Sequence, residues 1–61
     1  MSDWDALPPD EMAEHLVASH GRSAFLFATD ALELIVEKQD ENGERYWLEV
    51  RKRVAEILAD R

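Results

Sequence analysis

The chain has 61 residues, no cysteine, 14 acidic residues against 7 Lys and Arg, and a formal net charge of −7 at pH 7. That length permits one domain with a thin margin of stability, because a chain of this size buries only about 60% of the surface its unfolded form exposes. Without cysteine there is no disulfide staple and no thiolate for metal or catalysis, and the acidic balance disfavours direct binding to nucleic acid or anionic lipid.

The first seven residues form an acidic leader that holds Asp3, Trp4 and Asp5, and residues 8–61 form the domain. The start, Met-Ser-Asp-Trp-Asp, is acidic where a secretory signal would be basic and then apolar. The longest apolar run, residues 24–28, falls far short of the roughly 20 residues that span a bilayer. A cytoplasmic protein without membrane association is the expectation.

The first helix is predicted from Pro9 to about His20. Proline at the first helical position sacrifices no useful N–H, and Asp10 and Glu11 follow where the positive end of the helix dipole favours anions. Met12, Ala13, Leu16, Val17 and His20 recur at helical spacing, and Gly21 is the natural left-handed terminator. Leu7 stands where it can fold back on the first turn as a hydrophobic staple.

The second helix is predicted over residues 23–39 or 40, with Ser23 as N-cap. Its apolar positions cover more than one stripe: Phe25, Ala28, Leu32 and Ile35 on one side, Ala24, Phe27, Ala31 and Leu34 on the other. A helix so apolar is expected to be contacted on more than one side and so to be the central element. Asp40, Glu41, Asn42 and Gly43 read as the next turn, with Asn-Gly supplying the positive-φ residues of a tight reversal.

The third helix is predicted from residue 44 to 58 or 59, with Trp47, Val50, Val54, Ile57 and Leu58 as its seam. No segment alternates long enough to read as a strand. The expected fold is all-α, a small three-helix bundle with antiparallel neighbours, whose core is Phe25, Ala28, Leu32, Ile35, Trp47, Val50, Val54 and Ile57.

Charge follows this order. Residues 1–20 carry Asp3, Asp5, Asp10, Glu11 and Glu14 with no Lys or Arg, while residues 43–61 carry Arg45, Arg51, Lys52, Arg53 and Arg61 against four acids. Acidic early helices and a slightly basic last helix attract one another. The triplet Arg51, Lys52, Arg53 fans over about 200° of helix, so it forms no flat phosphate-binding patch and instead pairs with the acidic helices.

Candidate chemistry is sparse. His15 and His20 are five residues apart, about 500° along a helix, so their rings diverge; Glu11 and His15 share a face but lack a third ligand. The neighbours Ser19 and His20 lack the third orienting group and oxyanion hole that a nucleophilic site needs. With Gly21 and Gly43 the only glycines, there is no phosphate-cradling loop. No catalytic, metal or cofactor-binding residue is assigned.

Two features remain for function. Trp4, in the leader between Asp3 and Asp5, is either a lid packed over the open end of the bundle or an anchor for a partner. The apolar excess of the second helix, above all Leu26, Phe27 and Leu34, exceeds what three short helices can cover and suggests a surface for a protein partner or for self-association. The partner-binding set is therefore Asp3, Trp4, Asp5, Leu26, Phe27 and Leu34. An alternative is an acidic inhibitor or nucleic-acid mimic, anti-defence or antitoxin-like, in which Asp3, Asp5, Asp10, Glu11, Glu14, Glu33 and Glu37 occupy a basic groove on a target protein.

The pattern His20-Gly21-x-x-Ala24-x-x-Phe27-Ala28-x-x-Ala31, an acidic turn ending in Gly43, then Trp47-x-x-Val50 and Ile57, resembles a family of short all-helical proteins found mainly in alphaproteobacterial genomes. The resemblance spans residues 13–58. It implies a small helical cytoplasmic protein of bacterial or phage origin, and because that family has no assigned activity it transfers no functional residue. The leader lies outside it.

Overall fold

The computed structural model describes residues 7–60, which form three helices joined by short turns: α1 (Pro9–His20), α2 (Ser23–Glu37) and α3 (Glu41–Ala59). No strand occurs among the described residues. Proline opens α1 as its position predicts, with Asp10 and Glu11 in the first turn and the Met12 amide donating to the Pro8 carbonyl.

The turn between α1 and α2 is only Gly21 and Arg22. The Gly21 amide closes α1 on the Val17 carbonyl at 2.8 Å, and its backbone sits at φ 60°, ψ −131°. The Gly21 carbonyl then accepts from Ala24 at 3.0 Å, so one glycine ends the first helix and starts the second. The N-cap of α2 is Arg22 rather than Ser23, and no side chain caps this end. Ser23 is already inside the helix, one residue past the cap.

The second turn differs most from expectation. Neither Asn42 nor Gly43 is a turn residue; both belong to α3, and the left-handed position is Gln39, at φ 59°. Gln39 donates to the Val36 carbonyl and Asp40 to the Ile35 carbonyl, at 3.0 and 3.3 Å, the paired bonds of a Schellman end. Helix α2 therefore stops at Glu37, short of the predicted 39 or 40. Asp40 also begins α3: its Oδ1 accepts from the Gly43 amide at 3.0 Å as an N-cap. An aspartate that caps three residues ahead outcompetes Asn-Gly as the local signal, so α3 starts three residues earlier than predicted.

Gly43 is needed for space. It is buried in the first turn of α3, and a Cβ built there would lie 2.9 Å from Ile35 Cγ2 and 3.0 Å from Asp40 Oδ2. Gly43→Ala is therefore expected to destabilise by about 1–2 kcal/mol, the overpacking outweighing the roughly 1 kcal/mol that alanine gains in a helix. Chemical denaturation of the two proteins measures this. A more stable alanine variant would mean that Ile35 yields freely and that glycine serves no packing role.

The buried core consists of Ala13, Leu16 and Val17 from α1, Ala24, Ala28, Leu32 and Ile35 from α2, and Trp47, Val50 and Val54 from α3. Phe25 and Ile57, expected in the core, are only half-buried against it, while Ala24 is fully buried. The contacts Ile35–Gly43, Phe27–Trp47 and Phe25–Arg51 run in opposite senses along the two chains, so α2 and α3 form an antiparallel hairpin.

The central element is α3, not α2. It packs extensively against both other helices, which touch one another much less. Total apolar content misleads here because direction matters: α2 meets its neighbours partly through alanines, while several of its larger apolar side chains point elsewhere. The longest helix has the narrowest apolar seam, and that seam is shared between two partners.

Candidate functional site

Among the described residues five large apolar side chains stand exposed: Leu26 at 65%, Phe27 at 46%, Leu34 at 58% and Val36 at 49% on α2, and Leu48 at 46% on α3. A helix turns about 100° per residue, so these do not make one patch. Phe27 and Leu34 lie with half-buried Ala31 on one flank of α2, and Leu26 lies farther round, on the outer side. Val36 shares the opposite flank with Phe25. Leu26, Phe27 and Leu34 belong to the partner-binding set expected from the sequence; Val36 belongs to the same apolar excess of the second helix but not to that set, and Leu48 to neither. Leu48 could have been flagged, since it adjoins Trp47 but falls off the 3–4 seam.

Phe27 is the most constrained of the set. Its ring stacks on His20, with centroids 5.0 Å apart and planes 15° from parallel, and meets Trp47 at 6.4 Å. Trp47 in turn receives Tyr46 edge-on at 5.7 Å, and the Tyr46 hydroxyl donates to the Leu7 carbonyl at 2.7 Å. Four rings thus run from the exposed end of α1 through the core to the entry of the chain. His20, read as the closing residue of α1, also shields one face of Phe27. Leu26 and Leu34 have no aromatic cover and are the freer contacts.

Between the other flank of α2 and α3 lies an open groove of about 490 Å³, lined by Phe25, Leu48, Glu49, Arg51, Lys52 and Ala55. The Arg51 guanidinium sits 5.1 Å above the Phe25 ring, a cation–π contact that holds the charge at the rim. A second, shallower hollow of about 290 Å³ lies on α2 itself, among Asp30, Glu33, Leu34 and Glu37.

Of the basic triplet, expected to pair with the acidic helices, only Arg53 does so among the described residues. Arg53 reaches back to Asp10 of α1 at 3.9 Å and to Glu56 at 3.5 Å, whereas Arg51 and Lys52 have no carboxylate partner among the described residues. The Arg53 side chain is half-exposed and both carboxylates are exposed, so these pairs contribute little to stability, and the buried Nε makes no hydrogen bond among the described residues. Among the described residues no group of three or more His, Asp or Glu gathers as metal ligands, and no helix is long and apolar enough to cross a membrane. His15 and His20 are both exposed. Asp3, Trp4 and Asp5 lie outside the described residues.

Comparison with family models, with curated proteins and with solved structures finds no match to this chain.

Proposed function

We propose that the protein is a small acidic interaction module that works by binding another protein through the outer side of α2 and carries no chemistry of its own. The observation that supports this is the exposure of Leu26, Phe27 and Leu34 on one helix, when that helix has alanines at much of its internal contact. Isolated exposed leucines are ordinary, but several on one 15-residue helix of a domain this small form a surface whose removal from water favours association. Asp3, Trp4 and Asp5 are assigned to the same role on sequence grounds, and a cytoplasmic setting is supported by the lack of cysteine.

The test is Leu26→Asp combined with Leu34→Asp. Both sites are exposed, so the thermal midpoint should shift by no more than the equivalent of about 0.5 kcal/mol per site. Binding of an apolar fluorescent dye should fall sharply. If the parent protein binds no dye, or the double variant binds it equally well, the apolar surface has no such role. The acidic-inhibitor alternative would then gain, as exposed Glu11 and Glu14 on α1 offer a second, charge-led surface.

A further inference from the structure

We propose that the partner of this surface is a second copy of the chain, with the acidic stripe of α2 in each copy seated in the α2–α3 groove of the other. The inference rests on the reading of α2 as a binding surface and names what binds there. Leu26, Asp30, Glu33 and Glu37 recur at intervals of four, three and four residues, so they fall within about 60° of one another on the helix. All four are exposed, and Leu34 adjoins them at the hollow that Asp30, Glu33 and Glu37 surround. This face offers two leucines set among three carboxylates.

The groove is its complement. Its apolar wall is Phe25, Leu48 and Ala55, and its rim carries Arg51, Lys52 and Glu49, two cations against one carboxylate; neither cation has an ion-pair partner among the described residues. Leu26 or Leu34 of one copy fills apolar volume against Leu48 and Ala55 of the other. The Lys52 ammonium of the second copy then enters the hollow among Asp30, Glu33 and Glu37.

The two surfaces are also neighbours. On α2 the stripe is opposite the buried face and is centred about 110° from Phe25, which packs half-buried against the core at the edge of the groove, so stripe and groove lie on adjacent sides of the helix. Adjacent complementary surfaces permit a closed twofold arrangement in which each copy supplies one stripe and one groove. Two copies that each carry −7 repel at long range, so the dimer is weak and forms only in the register that brings the local cations onto the stripe.

Charge exchange tests this at fixed ionic strength. Sedimentation equilibrium of the parent protein, up to about 1 mM, should give a mass rising towards twice that of the monomer. Lys52→Glu places a carboxylate opposite the stripe, and Glu33→Lys places an ammonium opposite the groove. Each variant alone should associate at least about tenfold more weakly, while an equimolar mixture of the two should regain parental association. The mixture restores both contacts, because each copy contributes the altered half that suits the other. Ala18→Glu with Ser19→Glu on the exposed side of α1 changes the net charge by as much as Lys52→Glu does and should leave association unchanged. Circular dichroism confirms that each variant is folded.

Association of Lys52→Glu at parental strength, or a mixture that stays monomeric, overturns the proposal. So does a parent protein that is monomeric throughout. If that monomer still binds apolar dye, and the double aspartate variant does not, the interaction surface survives and only the identity of its partner is wrong. If it binds none, both readings fail together.

Discussion

Trp47→Ala is expected to destabilise the protein by about 3–5 kcal/mol and to leave it largely unfolded near body temperature. Trp47 is by far the largest side chain of the buried core, whose fully enclosed members are no bigger than Val50 and Val54. It also holds Phe27 and Tyr46 in ring contact, so its loss frees groups on α2 and α3 together. For a domain of this length the predicted loss is a large share of total stability, which runs at roughly 0.05–0.15 kcal/mol per residue. Thermal melts followed by circular dichroism measure it. A cooperative transition within a few degrees of the parent would show that the helices hold together without the indole.

The indole also carries an internal contrast. Its Nε1 is buried without a hydrogen-bond partner among the described residues. Trp47→Phe removes that donor while keeping a ring, so its cost should be smaller than that of the alanine variant by about 2 kcal/mol or more. Equal losses for the two variants would mean that ring size, and not the presence of a ring, sets the stability.

Gly21→Val is the other change with a large expected effect. The glycine sits at φ 60°, ψ −131°, a region that L residues essentially do not occupy, and a β-branched side chain is the least tolerant of it. The destabilisation should be about 2–3 kcal/mol or more, all of it backbone strain, because a Cβ at this position would meet no atom within 4 Å. Ser23→Ala, by contrast, should change stability by less than about 0.5 kcal/mol, since Ser23 caps nothing. Chemical denaturation of both variants gives the order directly. If Ser23→Ala proves the more damaging, the hydroxyl has a capping role and the turn at Gly21 can be rebuilt without glycine.

Where local chemistry is self-contained, the sequence is read correctly. Pro9, the acids behind it and Gly21 bound α1 at its observed limits, because each acts through its own backbone conformation or the nearby dipole. The seam Trp47, Val50, Val54 is likewise legible, since a spacing of three and four residues fixes one helical face. The candidate surface was partly legible: Leu26, Phe27 and Leu34 exceed what a bundle can bury, and all three are exposed. Leu48 and the groove beside Phe25 were not, because a groove belongs to two helices and no single helix displays it.

The Asn-Gly pair shows why local signals can mislead. It carries the composition of a tight turn, yet Asp40 three residues before Gly43 offers a cap, and the two signals compete for the same stretch. Gln39 accepts the left-handed conformation in place of a glycine because the bonds to Val36 and Ile35 offset its strain.

The sequence by itself determined that this protein is helical, that the described residues form three helices, and where the first begins and ends. Helical period, proline and glycine act over a few residues and need no tertiary partner. Only the tertiary structure decided that α3 is the hub, that Gly43 is a packing glycine, and that Arg51 and Lys52 border an apolar groove. Each of these depends on the distance and direction between residues on different helices. Periodicity along one helix can name a face, but the identity of what lies opposite is set by how the helices cross.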